Sequence, residues 1–397
     1  MVSRADCLAL GASDIRWLQT IAGARALTSD SQKHTSEKPR RYTCPGCAAN
    51  LLFEPRDGAL TCPYCGRKEA IPESAEEIQE RSYEQYLHPS ADQLKVLAET
   101  ALEVQCVSCG AQVTFTPPEV AGECSFCGVK IVAQPKSADP LVAPESLLPF
   151  GISPGQSTGS VKKWLASLWF APNALKKLAY HQSIDGVYLP FWTYDTHTTS
   201  HYTGERGEYY YETETYTETD AQGNTVTKTR QVQHTRWYPA SGTVSRWMDD
   251  VLVPGTKSVS VPRLHSLEPW DLDALKPYEP AFLSGFKAQR YQVDLPGGFE
   301  EAKRLIAPTI QQDVREDIGG DEQRISDIAT SYSGITFKHI LLPVYIGAYR
   351  FNQKVYQIMV NARTGEVQGD RPYSVWKIFF FVLFLLAVVG LVIVLSR

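Results

Sequence analysis

The sequence predicts an α+β protein with two small zinc ribbons, a β-rich domain and one C-terminal transmembrane helix. Three observations carry this prediction. Eight of the nine cysteines form four Cys-x-x-Cys pairs. The middle of the chain alternates polar and apolar side chains with period two, which indicates strands, and an unbroken apolar run stands at the end of the chain.

The cysteine pairs form two blocks of equal internal spacing. In each block, fourteen residues separate one pair from the next, and the blocks align without a gap, so they are an internal repeat. Each pair makes a tight knuckle, and a short hairpin brings the second knuckle opposite, so four sulfurs can surround one ion. We therefore expect two structural zinc ions, the first held by Cys44, Cys47, Cys62 and Cys65 and the second by Cys106, Cys109, Cys124 and Cys127.

Disulfides and iron–sulfur clusters are the competing interpretations of these cysteines. The paired spacing and a cytosolic context favour zinc. Glycine follows the second cysteine of three knuckles, at Gly66, Gly110 and Gly128, where a positive φ lets amides turn toward the sulfurs. Cys7 has no neighbouring partner in the sequence and is expected to be an idle thiol in a disordered leader.

The apolar run extends from Ile378 to Leu395. Eighteen helical residues span about 27 Å, close to the hydrocarbon thickness of a bilayer. Tyr373 and Trp376 stand where interfacial aromatic residues anchor a span. We expect a single-pass, tail-anchored protein of the cytoplasmic membrane.

Charges around the run predict its orientation. Arg363, Arg371 and Lys377 precede the run and only Arg397 follows it, so the positive-inside rule places the bulk of the chain in the cytosol. The first residues are interrupted by charges before they could form an export signal. The net charge of −5 argues against a protein devoted to binding phosphates, although residues 38–70 carry a local basic excess.

Composition and periodicity divide the chain into seven segments. We expect a disordered leader over 1–37, zinc ribbon 1 over 38–72, a helical spacer over 73–102, zinc ribbon 2 over 103–133, a proline-rich linker over 134–154, an α+β domain over 155–373 and the transmembrane helix over 376–396. The helical assignment of the spacer rests on the apolar spacing of residues 75–87 and 91–104.

Within the α+β domain the pattern predicts helices and hairpins. One helix is expected over 161–168 and a second over 298–318, kinked or broken at Pro308. Hairpins are expected from 208–219 with 224–237 and from 340–350 with 354–361. Residues 187–192 resemble residues 340–345, with proline at the same point. The prolines suggest edge strands or bulges, and the similarity suggests a duplicated α+β unit.

The motifs of catalysis are absent or misplaced. Residues 155–159 match the G-x-S-x-G elbow around Ser157, but a proline-rich stretch and no strand precedes them, so we expect a loop or helix-capping role. His197 and His201 would stand about 13 Å apart on a strand, too far to share an ion, and they and Asp195 are expected at the surface. The pair Asp249-Asp250 suggests a solvated turn. No phosphate-binding loop or H-E-x-x-H motif is present, so we predict no catalytic residues.

Five stretches outside the ribbons also match the sequences of one protein family: 148–150, 169–175, 202–207, 317–324 and 361–372. With the ribbons and the apolar run, residues 38–397 resemble a bacterial family of membrane-anchored double zinc-ribbon proteins. Members are often labelled primosomal protein N′ (replication factor Y), superfamily II helicase, or transcription-factor-IIB-type zinc-ribbon protein. The missing phosphate-binding loop argues against the helicase label. The resemblance implies a cytosol-facing membrane adaptor, with partners of the phage-shock-protein A or flotillin-like type. The leader and Pro308 depart from the family pattern.

Three functions follow as hypotheses. The favoured one is a non-enzymatic scaffold whose ribbons bind a protein partner at the lipid bilayer. The alternative is a membrane-tethered nucleic-acid binder that uses the basic first ribbon, which we do not favour. A hydrolase based on Ser157 is the third.

Overall fold

The computed structural model describes residues 42–72, 77–88, 94–95, 102–106, 109–115, 121–127, 129–132, 141–172, 174–175, 184–219, 223–352 and 354–395. The leader predicted over 1–37, with Cys7, lies outside these residues, as do Gly128 and the basic residues Lys38, Arg40 and Arg41.

The described chain is an α+β protein with a sheet-rich body, as predicted. Its strands are β1 (Leu52–Glu54), β2 (Ala59–Thr61), β3 (Lys68–Glu69), β4 (Arg81–Ser82), β5 (Leu94–Lys95), β6 (Leu102–Gln105), β7 (Gln112–Phe115), β8 (Ala121–Glu123), β9 (Lys130–Val132), β10 (Leu141–Val142), β11 (Ser146–Leu147), β12 (Asp185–Thr219), β13 (Thr225–Pro254), β14 (Lys276–Pro277), β15 (Lys287–Ala288), β16 (Glu322–Phe351), β17 (Lys354–Asn361) and β18 (Val367–Gly369). Its helices are α1 (Tyr83–Tyr86), α2 (Pro154–Ser167), α3 (Val261–His265), α4 (Leu295–Ile318) and α5 (Val375–Leu395), with short 3-10 turns at Leu272–Ala274 and Pro280–Leu283.

Three long antiparallel strands form the centre of a nine-stranded sheet. β12 lies between β13 and β16, and the far edge of β16 is covered in turn by β4, β11 and β17. β12 is 35 residues long, which corresponds to roughly 115 Å of extended chain. β16 stops pairing with β12 at Gly207, so the rest of β12 and its partner β13 continue alone as a two-stranded arm.

Both predicted hairpins are confirmed, and the first is much longer than expected. β12 and β13 pair from Phe191 with Pro254 out to Thr219 with Thr225, and the turn at 220–222 lies outside the described residues. The second hairpin joins β16 and β17 at Asn352, whose φ is 47°. The turn after β17 contains Gly365 at φ 78°, a backbone conformation that favours glycine.

Helix α4 covers one face of the three long strands. Asp294 caps its first turn, where the carboxylate accepts from the Gly297 N–H at 3.0 Å. The buried side chains recur every four residues over the second half, from Ala302 and Ile306 to Ile318. The break predicted at Pro308 is wrong. The helix continues through this exposed proline because packing of the opposite, apolar face on the sheet outweighs one missing hydrogen bond.

The two proline-containing segments form neither edge strands nor bulges at their prolines, contrary to prediction. Residues 187–192 and 340–345 pair with each other, with Pro190 opposite Leu341 and Pro343 opposite Tyr188. Each proline lies in a gap between two partner strands on the same side of its own strand. Pro190 falls between the stretches of β12 that pair with β15 and with β13, and Pro343 falls between the stretches of β16 that pair with β11 and with β17. No ladder hydrogen bond is lost at such a junction, which explains how a central strand tolerates proline. Within the described residues, the structure does not show the duplicated unit.

The segments around ribbon 2 also differ from expectation. In the described part of the predicted helical spacer, only Tyr83–Tyr86 is helical, whereas β4 and β5 are strands that pair with β16 and β10. The predicted proline-rich linker contains β10 and β11, and Leu147 and Leu148 are completely buried. Tertiary packing against the sheet overrides the local pattern in both places.

The apolar run forms α5, a 21-residue helix of which no side chain is buried against the rest of the protein. It is long and apolar enough to cross a membrane, at about 32 Å.

Candidate metal centres

The first cysteine cluster is built by ribbon 1, the small antiparallel sheet of β1, β2 and β3 with the two knuckles beside it. The knuckles bring Cys44 Sγ to 3.5 Å from Cys65 Sγ, and Cys47 Sγ to 3.5 Å from Cys62 Sγ. Cys44 and Cys62 are buried, whereas Cys47 and Cys65 are exposed. One side of this centre is therefore open to solvent.

The second cluster is built by ribbon 2, which consists of the hairpins β6–β7 and β8–β9. Cys106 Sγ lies 3.6 Å from Cys127 Sγ, and Cys109 Sγ lies 3.7 Å from Cys124 Sγ. Three of these four cysteines are buried. This centre is therefore more enclosed than the first.

The spacing of the sulfurs suits a tetrahedral metal ion. Within each cluster all four Sγ atoms lie within 4.8 Å of one another. An ion with metal–sulfur bonds of about 2.3 Å places neighbouring sulfurs at about 3.8 Å in a tetrahedron. A disulfide would need about 2.05 Å, so all eight thiols are free and the two clusters are suited to binding a metal structurally.

Backbone amides turn toward the sulfurs as the glycines predict. Gly66 and Gly110 have φ values of 73° and 75°. In the knuckle at Cys47 the same role falls to Ala48, at φ 60°, a position that the sequence gives no reason to suspect. The pKa of Cys62 is lowered to about 6 because the N–H groups of Cys65 and Tyr64 donate to its sulfur. Such donors favour the thiolate, the form that binds metals.

Ribbon 1 is fixed to the α+β domain by apolar and backbone contacts. The Phe53 ring meets the Phe282 ring edge-on at 5.2 Å, and the Tyr42 hydroxyl donates to Glu279 at 3.0 Å. The Ser284 hydroxyl donates to the Leu51 carbonyl oxygen at 2.5 Å. The ribbon therefore lies against the segment around residues 279–286.

Ribbon 2 lies against the neighbouring residues of the same segment. Lys287 Nζ donates to Ser125 at 2.9 Å, and Gln289 donates to the Gln112 carbonyl oxygen at 3.4 Å. The Phe126 side chain is buried, and its carbonyl oxygen accepts from Gln357 at 3.2 Å.

The two ribbons pack on opposite faces of the sheet. Leu147 and Tyr188 belong to the apolar cluster that contains the first cysteines, whereas their chain neighbours Leu148 and Val187 belong to the cluster that contains the second. Side chains of successive strand residues point to opposite faces. The sheet thus separates the two candidate metal centres.

The remaining sequence motifs are distributed over several elements of the described structure. Ser157 lies in the second turn of α2, buried, and Ser153 caps that helix by accepting from the Gln156 N–H. β11 ends at Leu147 and does not run directly into α2, so the tight strand-to-helix turn of a nucleophile elbow is missing. His197 and His201 are exposed, as predicted.

The structure also contains a buried group of charged residues that the sequence did not predict. Asp195 is fully buried between two bulges, which corrects its predicted surface position. Its carboxylate accepts from the Asp250 N–H and from the Thr336 hydroxyl, at 2.5 and 3.3 Å. Lys338 Nζ lies 2.8 Å from Asp250 and 3.2 Å from Glu80. Asp250 is therefore part of this ionic group, at φ 47°, and not of a solvated turn.

The fold and the two clusters define a class of protein: two four-cysteine ribbons held on opposite faces of a mixed sheet, in a chain with one exposed apolar helix. In comparisons with known proteins, the chain is similar to "Uncharacterized protein YdjG" of Bacillus subtilis (strain 168), with 24% identity over 345 residues, which is 85% of this chain and 91% of that protein. No protein-family profile matches the chain, and no solved structure matches it.

Proposed function

We propose that the protein is a non-enzymatic, membrane-anchored adaptor that faces the cytosol and presents a zinc ribbon to a protein partner. The observation that carries the proposal is the pair of ribbons fixed on one sheet, in a chain with an exposed apolar helix after that sheet. Ribbons of this size cannot form a core of their own, so metal binding supplies their folding free energy.

Zinc is the metal that suits four cysteine ligands with near-tetrahedral spacing. One zinc ion would be held by the four thiols of each cluster and would supply structural stability. Four protein ligands leave no open coordination position for a substrate. Catalysis by the protein's own side chains is not supported either, since Ser157 is buried in a helix.

The anchor is supported by the length and exposure of α5. Its cytosolic orientation rests on the basic residues before it. Arg371 is exposed and packs over the Tyr373 ring at 5.6 Å, where it can face anionic headgroups. Free cysteines agree with a reducing compartment.

The partner surface that we propose is the outer side of ribbon 1. Tyr64 is 83% exposed, and together with Leu52 and Pro63 it lines a shallow hollow of about 750 Å³. An exposed tyrosine beside a hollow with a mixed polar and apolar lining suits a protein-binding site. The family resemblance suggests partners of the phage-shock-protein A or flotillin-like type.

Affinity capture from membranes after crosslinking tests this surface. Replacing Tyr64 with Ala should reduce the recovered partner by about tenfold, because an anchoring tyrosine contributes about 1–2 kcal/mol. Tyr211→Ala on the hairpin, where the side chain is 60% exposed, is the matched control and should leave recovery unchanged. Equal recovery with Tyr64→Ala would contradict the proposed surface, provided that the variant retains both metals.

Nucleic-acid binding by ribbon 1 remains the alternative. Lys68 pairs with Asp57 at 2.8 Å and Arg67 lies 3.7 Å from Glu69, so both basic side chains are partly neutralised. Fluorescence anisotropy with a DNA duplex and with an RNA strand decides between the functions. Binding that weakens steeply with salt and is lost in Arg67→Gln would favour the alternative.

A further inference from the structure

A tight turn with two aromatic residues at its corners follows α2. The Ala171 N–H donates to the Leu168 carbonyl oxygen at 3.3 Å, and both of these side chains are buried. The corners are Trp169, which is 73% exposed, and Phe170, which is half-buried. Turn corners usually carry Gly, Pro, Asn, Asp or Ser. A large apolar pair at this place indicates an environment other than bulk water.

The turn lies against the beginning of α5. The ring of Phe381 is 5.3 Å from the ring of Phe170 and 6.5 Å from that of Trp169. Phe381 lies three residues inside the apolar run that begins at Ile378, which is about 4.5 Å along the helix axis. The two aromatic rings of the turn therefore stand at the level of the first apolar turn of α5.

The backbone carbonyl groups of the turn are hydrogen-bonded within the protein, which suits a poorly hydrated environment. Lys377 Nζ donates to the carbonyl oxygens of Trp169 and Ala171, at 3.1 and 2.8 Å. The Ser374 N–H donates to the Phe170 carbonyl oxygen at 2.7 Å. Three successive carbonyl groups thus have donors from the segment that enters α5. Unpaired carbonyl groups oppose entry into a poorly hydrated region, so this pairing favours insertion.

We propose that the Leu168–Ala171 turn inserts into the boundary between lipid headgroups and acyl chains, beside α5. The proposal rests on α5 being the membrane anchor. Trp169 joins Tyr373 and Trp376, which are 58% and 72% exposed, in a single aromatic band at that boundary. Because the turn belongs to the folded domain, this second lipid contact fixes how the domain is oriented on the membrane.

Tryptophan quenching by brominated lipid tests the insertion. Full-length protein would be reconstituted in vesicles of phosphatidylethanolamine and phosphatidylglycerol, with and without phosphatidylcholine brominated in mid-chain. The variants are Trp169→Phe, Trp376→Phe and, as a control on the hairpin, Trp247→Phe, whose native side chain is 53% exposed. Phenylalanine keeps an aromatic ring at each place, and metal content checks the fold.

The quenched part of the emission is the tryptophan fluorescence, per mole of protein, that brominated lipid removes. We expect it to fall in Trp169→Phe and in Trp376→Phe and to stay at the wild-type value in Trp247→Phe. A fall in Trp376→Phe without one in Trp169→Phe would overturn the insertion of the turn and leave the anchor intact. If neither variant lowers the quenched part, α5 is not in the bilayer, and both the anchor and the insertion are wrong.

Discussion

The backbone N–H of Phe53 donates to the carbonyl oxygen of Ser284 at 2.9 Å. This hydrogen bond extends the pairing of ribbon 1 into the α+β domain. The ribbon is consequently held in one orientation and not suspended on a linker.

Replacing Phe282 with Ala should loosen ribbon 1 without removing its metal. The Phe282 ring packs on Phe53 and is not part of a cysteine knuckle, so we expect a cost of about 2 kcal/mol in docking. Hydrogen exchange of Leu51–Thr61 should accelerate while metal content stays at two ions per chain. Tyr64→Ala, on the outer side of the ribbon, should leave exchange unchanged. Loss of the metal in Phe282→Ala would show that docking and metal binding are inseparable.

Replacing Cys44 with Ser should lower the metal content from two ions to one. The clusters lie on opposite faces of the sheet and share no ligand, so the second should remain loaded. Elemental analysis of the purified protein measures this, with Cys106→Ser as the reciprocal variant. Retention of both ions, or loss of both, in Cys44→Ser would refute the assignment of four ligands to each ion.

Ala48→Gly should strengthen metal retention in ribbon 1. A side chain at φ 60° is strained, and glycine relieves about 1 kcal/mol, which corresponds to about fivefold tighter apparent binding. Chelator competition, in which the first cluster is followed in a Cys106→Ser background, measures the change. Ala49→Gly is the control and should weaken retention slightly, since Ala49 does not have a positive φ. Equal weakening in the two variants would contradict the prediction.

Asp195→Asn should alter how stability depends on pH. Burial raises the pKa of Asp195 to about 6, among Glu80, Asp250 and Lys338, so the folded state binds this proton more tightly than the unfolded state. The carboxylate therefore destabilises the fold above pH 6, and this penalty disappears as the pH falls. Asparagine has no such proton to bind.

Thermal unfolding of the wild type and of Asp195→Asn at pH 8 and pH 5 measures the effect. The free energy of unfolding of the wild type, relative to that of Asp195→Asn, should rise by roughly 1–2 kcal/mol between pH 8 and pH 5. Asp327→Asn, at an exposed position, is the matched control for the loss of one carboxylate. A difference that is constant with pH would mean that Asp195 does not titrate in this range.

Deleting the chain from Trp376 onward should release the protein from membranes. The truncated chain keeps all eight cysteines, so it should still bind two metal ions. Alkaline washing followed by centrifugation and elemental analysis checks both points.

The proposed orientation also predicts that a membrane-impermeant thiol reagent leaves the exposed Cys47 and Cys65 unlabelled in intact cells. Labelling from outside would refute the orientation, and a truncated chain that stays in the membrane would refute the anchor.

The sequence was sufficient for the features that local chemistry determines. The spacing of pairs such as Cys44 and Cys47 predicts clusters suited to a tetrahedral metal, and the run that begins at Ile378 predicts a helix long and apolar enough to cross a membrane. Both features could be predicted because neither depends on distant parts of the chain.

The packing between distant segments could not be predicted in this way. Leu147 and Leu148 appear in a proline-rich stretch, yet β16 recruits them into the sheet. Asp195 reads as a surface residue on an alternating strand, but bulges on both neighbouring strands leave it enclosed with Lys338. Positions of this kind depend on register and on neighbours that come from far along the chain.

The two-stranded arm beyond Gly207 has a consequence for motion. Its exposed strands are joined across the hairpin by pairs such as Glu214 with Arg230 and Glu218 with Lys228, at 2.9 and 2.7 Å. Such pairs contribute only about 0.2–1 kcal/mol each, and no apolar cluster supports them among the described residues. The tip can therefore open and reclose while the sheet and both ribbons stay folded, so its amides should exchange faster than those of the central sheet.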